Sequence, residues 1–495
     1  MDGLERDFFR LVAKAAYLNP FSPERDAVDV RIAEVEGDDP ELLPRLLYAI
    51  ESRLAPMEER GELGPDTMAF EDWRLVEHAV LFETFHRYVG ALDALIEAQI
   101  AAGSRPLAVP FAPDLLGRLR RRGVGAEKSL RMIALFWQLR RAYTFIVGGL
   151  SGVSPSMRRL REAIWNDVFT YDGERFERLL WNRLEDFSVI LRGETGTGKG
   201  QAAAAIGRSG FVPYDERGCV FSTSFTDLIV NLNLSQFPES LIESELFGHK
   251  KGAFTGAVDN HQGAFDRCSP NGAIFLDEIG EVSIPVQIKL LRVLQDRVFT
   301  PVGSHEERRF DGRVIAATHR DLDEARRERR FRNDFYYRLC SDVIEVPPLR
   351  VRIAEDPREL GVLVTSLVDR IVGAPAPDVT GRVLEVIGES LPDDYAWPGN
   401  VRELEQCVRR VLLTDRFAAD GSGAHRALGP VDRFLDQVRA GTLEARELAA
   451  RYCAMLHERH GTYEEVSRIT GLDRRTVRKY VEQVKAGDGI LDADG

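Results

Sequence analysis

Two short runs in the sequence carry residue types and spacings suited to chemistry on phosphates. The first is Gly193-Glu194-Thr195-Gly196-Thr197-Gly198-Lys199, which precedes an alanine-rich stretch from Gln201 to Ile206. Glycines let backbone N–H groups curl around an anion, a following helix N-terminus adds positive potential, and a lysine can reach terminal phosphates. This spacing therefore predicts a phosphate-binding loop for a nucleotide such as ATP. The next residue is Gly200, where the general motif has a Ser or Thr hydroxyl for magnesium. Mg2+ is then expected to rely on phosphate oxygens, water and acids elsewhere. Asp277 and Glu278 supply such acids at the end of Ala273-Ile274-Phe275-Leu276. Asp277 would hold the metal, directly or through water, and Glu278 would polarise the attacking water.

A different chemistry is legible near the C-terminus. Tyr463 to Ile469 reads as a short helix, Thr470-Gly471-Leu472-Asp473 as a turn, and Arg474 to Lys485 as a second helix. That second helix carries Arg474, Arg475, Arg478, Lys479 and Lys485 against Glu482, five positives minus one negative, or +4. Helix, glycine-containing turn and basic helix form the helix-turn-helix layout, with the second helix in the major groove of double-stranded DNA. Val466, Ile469, Leu472, Val477 and Val481 would make its small core. The alternative is a solvated helical hairpin. Such modules usually bind as dimers.

These groups need elements to position them. Phe187 to Leu191 is a strand candidate that runs into the glycine loop; Ala273 to Leu276 is a second, ending at the acids; Val314 to Ala317 is a third, ending at Thr318 and His319. Short apolar runs, each followed by helix, predict a parallel α/β sheet with its site at the strand C-termini. Upstream, residues 1–147 read as mostly helical. Phe85, Val89, Leu92, Ile96 and Ile100 recur at spacings of three and four, as do Met132, Leu135, Leu139, Tyr143 and Ile146. Each stripe predicts an amphipathic helix, and Pro106, Pro110 and Pro113 mark a loop between them. Bundle core is the plain reading of the stripes, a ligand pocket the other. The expected organisation is multidomain: a mostly α regulatory or sensory domain over 1–147, an α/β domain over 148–415, a linker over 416–442, and an α helix-turn-helix over 443–487. The helical stripe ending at Ile146 meets Gly148-Gly149 with almost no linker, so the first region should be packed on the second rather than tethered to it.

Composition bounds the class. With 495 residues, 44% of them apolar, the chain can build several cores, and a net charge of −13 argues against a protein that coats nucleic acid over its whole surface. One local basic module remains compatible with it. The closest approach to a membrane span, 132–150, is interrupted by Gln138, Arg140 and Arg141. The acidic N-terminal residues Asp2, Glu5 and Asp7 do not fit a secretory signal, and five scattered cysteines fit reduced thiols. A cytoplasmic protein with no membrane partner is expected.

Between the glycine loop and the acids lies Glu245-Leu246-Phe247-Gly248-His249-Lys250-Lys251-Gly252-Ala253-Phe254-Thr255-Gly256-Ala257. Small residues flank one aromatic, and the glycines allow sharp reversal. Here the chain closely resembles the bacterial enhancer-binding proteins, the AAA+ activators of sigma-54 RNA polymerase: Gly252 to Ala257 repeats their signature loop letter for letter. The resemblance runs over about 148–410. It includes Gly152 to Met157, Phe275 to Gly280, Gln287 to Gly303, Phe331 to Leu339 and Trp397-Pro398-Gly399-Asn400-Val401-Arg402-Glu403-Leu404.

The resemblance implies an AAA+ P-loop ATPase, with an α/β core to about 347 and a helical lid after it. It implies that Gly252, Ala253, Phe254, Thr255, Gly256 and Ala257 contact sigma-54. Asn233 would restrain Glu278 until a switch is thrown, Thr318 and His319 would sense nucleotide, and Arg402 would close on it from the lid. Arg332 and Arg338 would reach a neighbouring subunit's ATP site in a homo-oligomer, a dimer that grows to a hexameric ring. Family members often have Glu in place of Gly200 and Asn in place of His319. Residues 167–186 and 207–230 look longer and more divergent than the family pattern, as expected of insertions near the nucleotide site. The function implied is a sigma-54-dependent activator that binds upstream promoter DNA and uses ATP hydrolysis to remodel sigma-54 RNA polymerase holoenzyme. The alternative is a DNA-binding repressor whose AAA+ domain only oligomerises.

Overall fold

The computed structural model describes residues 1–35, 39–392, 394–417, 438 and 443–487. Most of the linker expected over 416–442 lies outside the described residues. Two compact units are present: one spans Met1–Val386 and takes in the described residues up to Leu413, and the other holds Ile387–Pro392 with the described residues from Thr414 onward.

The first unit opens with helices α1 (Gly3–Tyr17), α2 (Pro23–Ala33), α3 (Leu42–Glu59), α4 (Phe70–Arg87), α5 (Val89–Ala102), α6 (Ala112–Arg121) and α7 (Ala126–Gly149). Local chemistry starts them: the Asp2 carboxylate accepts from Glu5 N–H, and Ser22 caps α2 ahead of Pro23 at its first turn. The stripe from Phe85 to Ile100, expected as one helix, is divided between α4 and α5. Tyr88 leaves helical geometry there, and its hydroxyl, on a largely buried side chain, donates to Asp114. Ile100 accordingly ends up exposed. The proline loop is shorter than expected, because Pro113 sits in the first turn of α6.

After α8 (Pro155–Phe169) come the strands β1 (Val189–Arg192), β2 (Tyr214–Asp215), β3 (Val220–Phe221), β4 (Ile229–Asn233), β5 (Ala273–Asp277), β6 (Val298–Phe299), β7 (Arg308–Arg309), β8 (Arg313–Thr318) and β9 (Asp342–Glu345). Five of them form a sheet in the order β4-β5-β8-β1-β9, and every pairing in it is parallel. The expected strands are present, and the first begins two residues later than Phe187. Side chains alternate between faces. Val189 and Leu191 join one core, and Ile190 joins the other with Leu276, Val314 and the helix Ile284–Asp296. A parallel sheet is thereby covered on both sides. The first core is continuous from Phe8 in α1 to Val346 after β9, so the N-terminal helices and one face of the sheet share a single apolar interior.

The divergent segments lie away from the expected position. A pocket bordered by Trp181, Gly210 and Phe211 from these segments also touches Ala273 and Arg313, the first residues of β5 and β8, at the sheet end opposite the glycine loop. The reason is topological: residue 207 ends the helix that begins at Lys199, so the chain leaves it at the far end of the domain. There the segments meet the N-terminal helices. Tyr17 donates to Glu177 over 3.0 Å, Trp137 stacks on Phe221 at 4.9 Å, and Val109 N–H donates to the Cys219 carbonyl over 2.9 Å.

In the second unit, helices Ala445–His460, Tyr463–Thr470 and Arg474–Gly487 pack together. Gly471, at φ 70°, ends the middle helix, and Asp473 caps the last by accepting from the N–H groups of Arg475 and Thr476, each over 3.0 Å. The core is Cys453, Leu456, Val466, Val477 and Val481, with Leu472 against it. Ile469, expected in that core, is 41% exposed, because Cys453 and Leu456 of the preceding helix fill the space. Among the described residues no helix is long and apolar enough to cross a membrane.

Candidate active site

The glycine loop joins β1 to the helix Lys199–Gly207, so its amides sit at a helix N-terminus beside the C-terminal ends of the parallel strands. Gly196 and Gly198 have φ of 81° and 106°, a region open to glycine at little cost. At Gly196 a side chain is also excluded by space, since a Cβ would lie 2.2 Å from the Gly399 carbonyl oxygen. The segment after the sheet thus closes directly on the loop. Asn400, fully buried, donates from Nδ2 to the Thr195 carbonyl (3.1 Å) and to Glu194 (3.2 Å), while its Oδ1 accepts from Leu349 N–H. Arg402 N–H donates to the Gly196 carbonyl over 3.3 Å. Arg350 forks onto both oxygens of Glu194 at 2.7 and 2.5 Å and, with help from Asn400, holds that carboxyl down at about 2. Sequence reasoning quoted Asn400 only within a motif and missed Arg350; both act through contacts that depend on how the chain returns to the loop.

A cleft of ≈ 730 Å³ lies between these parts, lined by Thr195 to Gln201, Asn233, Asp277, Glu278, Arg402 and residues from 148–151. Lys199 is buried and donates from Nζ to the carbonyls of Gly193 (2.8 Å) and Glu194 (3.1 Å). Burial pushes its pKa down; at Asp277 burial pushes the carboxyl up, the charge on Glu278 adds to it, and Lys199 opposes it. A Cβ at Gly200 would meet open space, and the residue contributes no side-chain oxygen. The acidic oxygens of Asp277 and Glu278 suit Mg2+, a hard cation bound through one or two carboxylates together with water and phosphate.

The acids are held differently from expectation. Asn233 donates to Asp277 Oδ2 over 3.3 Å, not to Glu278. The two residues are register partners on β4 and β5, which aims the amide at Asp277. Glu278 turns off the strand end at φ 59°, and His319 Nδ1 lies 2.7 Å from its Oε2. Thr318 is buried below the loop: its carbonyl accepts from Gly193 N–H, and its hydroxyl accepts from Arg320 N–H. Arg332 and Arg338 stay out of the cleft; Arg332 pairs with Asp334 at 2.6 Å, and Arg338 donates to the Leu294 carbonyl at 2.9 Å. The Gly252–Ala257 loop stands apart as an exposed turn closed by Gly252 N–H to the Ala257 carbonyl at 2.8 Å, with Phe254 36% exposed and its ring 4.9 Å from that of His249.

Residues 175–345 match the family model described as the Sigma-54 interaction domain. This stretch is similar to sigma-54 interaction domains. The match holds the glycine loop, the acids and the Gly252–Ala257 turn, whereas Arg350, Asn400 and Arg402 lie beyond it. The chain is similar to the Nif-specific regulatory protein of Azotobacter vinelandii, 36% identical over 334 residues, covering 66% of this chain and 57% of that protein. It is 40% identical over 352 residues to the Nif-specific regulatory protein of Klebsiella oxytoca, covering 71% of this chain and 56% of that one. It is 41% identical over 274 residues to the transcriptional regulatory protein ZraR of the same organism, covering 55% and 54%. The chain thus spans little more than half the length of these relatives. Beyond the matched residues, its basic helix presents Arg475 and Lys479 exposed, while Arg474 pairs with Glu464 at 2.6 Å and Arg478 with Glu482 at 2.8 Å.

Proposed function

We propose that this protein is an ATP-hydrolysing transcription activator that binds upstream promoter DNA through its helix-turn-helix and remodels sigma-54 RNA polymerase. The observation that carries the reading is the presence, in one stretch similar to sigma-54 interaction domains, of a glycine-loop cleft with paired acids and a separate exposed turn bearing Phe254. The cleft can bind and split a nucleoside triphosphate, and the turn can present an aromatic to another protein.

In this reading the amides of Gly193 to Gly198 and the Lys199 ammonium, released from its two carbonyls, bind the phosphates. Asp277 would hold Mg2+, directly or through water, and the ion would neutralise phosphate charge when bound. Glu278 orients and deprotonates the attacking water. Arg338, exposed, and Arg332, half-buried, both lie outside their own cleft and serve a neighbouring subunit in a homo-oligomeric ring. Arg475 and Lys479 reach DNA, with Arg474 and Arg478 alongside after exchanging carboxylate for phosphate.

The test is ATP turnover by the purified chain, together with open-complex formation by sigma-54 RNA polymerase on a supercoiled promoter. Phe254→Ala should keep ATP turnover and lose open-complex formation. Retention of both activities in that variant would refute the role of the turn. No ATP turnover by the parent chain at any concentration would refute the ATPase.

A further inference from the structure

The cavity at the sheet end opposite the glycine loop, ≈ 320 Å³ in volume, has no part in the proposed ATPase cycle. It is at the lower end of the range for small-molecule sites. Its walls come from the segment before β1, from the turn after the helix that starts at Lys199, and from the entrances to β5 and β8. Phe211 meets Trp181 edge-on with ring centres 4.7 Å apart, so one wall is aromatic. The polar groups around it have bonds left to make. Arg313 is 7% exposed; its Nε donates to the Phe187 carbonyl at 2.8 Å and its Nη2 to Asp167 at 2.7 Å, while Nη1 has no partner among the described residues. The Glu185 carboxylate, the Asn271 amide and the Trp181 indole N–H, all on residues that line the cavity, also have no hydrogen-bond partner among the described residues. The cavity therefore offers a guanidinium donor, a carboxylate acceptor and an amide that is both. Asp167 balances the charge of Arg313, and Arg309 that of Asp311 at 2.6 Å, so Glu185 leaves one negative charge over. An anionic ligand would meet that charge, and a cationic one would meet Arg313.

We propose that this cavity is an effector site for a neutral, planar heteroaromatic molecule whose edge carries a carbonyl beside an N–H, as in guanine. The ring packs on Trp181, the carbonyl accepts from Arg313 Nη1, and the N–H donates to Glu185. An adenine edge presents an amino donor where guanine has its carbonyl, and so sets donor against donor at Arg313. The position of the cavity makes it an effector site. Helix α7 holds its walls from outside: the Arg131 guanidinium lies 6.0 Å from the centre of the Trp181 ring, Gln138 donates to the Ser209 carbonyl, and Arg141 donates to the Gly210 carbonyl. Ser209 and Gly210 line the cavity and follow the helix that begins at Lys199. An occupant thus braces the far end of the helix whose near end carries the phosphate loop, and the two binding free energies are linked.

The experiment is calorimetric titration of the full chain with guanosine, with and without a saturating non-hydrolysable ATP analogue to fill the phosphate-loop cleft. One guanosine should bind per chain in both conditions, and adenosine and the anion indole-3-acetate should each bind at least about 10-fold more weakly. Glu185→Gln, which keeps the shape of the side chain, and Trp181→Leu should each weaken guanosine by about 10-fold. Saturation with guanosine should change the affinity for the ATP analogue by at least about 5-fold. No saturable guanosine binding up to about 1 mM would overturn the inference. Equal affinity for guanosine and adenosine, or for guanosine in the parent and in Glu185→Gln, would overturn it too. Displacement of guanosine by the ATP analogue in simple competition would put the nucleoside in the cleft, with the same consequence. Unchanged analogue affinity in the presence of bound guanosine would overturn the effector role. A parent that fails to bind the ATP analogue would count against the ATPase reading, while the guanosine titration would still decide this one.

Discussion

Arg141 offers the sharpest test of how the N-terminal helices hold the nucleotide-binding end of the protein. Its side chain is fully buried, with no carboxylate beside it among the described residues. The guanidinium donates to the carbonyls of Arg208 (2.6 Å) and Gly210 (2.7 Å), immediately after the helix that starts at Lys199, and it lies 5.3 Å from the centre of the Trp137 ring. Gln138, one helical turn earlier on α7, donates to the Ser209 carbonyl between them over 2.9 Å. Arg141→Met would keep most of the volume and strand two buried carbonyls, at about 1–3 kcal/mol each. Relief of the buried charge, whose cost is visible in a pKa pushed down to about 9, offsets part of that loss. The net expectation is about 2–4 kcal/mol of destabilisation, a sizeable share of the 5–15 kcal/mol typical of a folded unit. Arg141→Lys should fall between the parent and Arg141→Met, because one ammonium cannot fork to both carbonyls. Urea unfolding followed by tryptophan fluorescence reads the stability, since Trp137 lies in the clamp, and ATP-analogue affinity reads the loop at the other end of the helix. An Arg141→Met variant within about 0.5 kcal/mol of the parent would show that the carbonyls find other partners and would refute the reasoning.

Other consequences are as direct. Lys199→Ala should abolish ATP-analogue binding, while Glu278→Gln should bind ATP and turn over at least about 100-fold more slowly; near-parental turnover by the latter would sink its assignment. An Arg332→Ala/Arg338→Ala double variant mixed with Lys199→Ala should regain ATPase activity that neither has alone; mixed rings without rescue would place catalysis within one subunit. Arg475→Ala should weaken specific DNA binding by about 1–3 kcal/mol while sparing ATP turnover at high protein concentration, and an unchanged footprint would put the reading residues elsewhere. His78, 5% exposed and packed edge-on against Tyr17, has its pKa lowered by burial from 6.5 to about 4. Between those values the unfolded chain takes up a proton that the folded chain refuses, so the contribution of His78 is full above pH 6.5 and falls by about 3 kcal/mol as pH drops to 4. Unfolding free energy measured against pH should show that slope in the parent and lose it in His78→Phe; equal slopes would refute it.

The parts of the site that chemistry fixes locally were legible in the sequence. A loop that cradles phosphate needs glycines, a lysine and a helix start within a few residues, and an acid pair at a strand end needs only the strand before it; both stand where spacing put them. What depends on register or on chain return was not legible. Asn233 faces Asp277 because β4 and β5 align those positions, and no local pattern states that alignment. Arg350 and Asn400 reach the loop from more than 150 residues away in the chain, which only the closed fold reveals. In the N-terminal region, periodicity found the helices but missed the break at Tyr88, since a tyrosine suits a helix until Asp114 arrives beside its hydroxyl.

Polar residues inside an apolar run do more here than interrupt a membrane span, which no described helix is long and apolar enough to form. Gln138 and Arg141 looked like interruptions that argued against a membrane span. In the fold they form the polar centre of a contact whose rim is aromatic, with Trp137 against Phe221 and Phe145 against Phe225. Phe221 and Phe225 belong to the 207–230 segment, one of the two expected as insertions, and that segment receives α7. A helix end presents carbonyls that cannot be satisfied within the helix. Here the carbonyls of the C-cap residue Arg208 and of Ser209 and Gly210 just beyond it are satisfied by side chains of α7, outside the matched residues 175–345, and the same helix begins at Lys199. A rigid helix of nine residues therefore has the phosphate loop at one end and the N-terminal region at the other. Any displacement of α7 must either strip those carbonyls of their donors or move the helix, and the second course carries the motion to the loop.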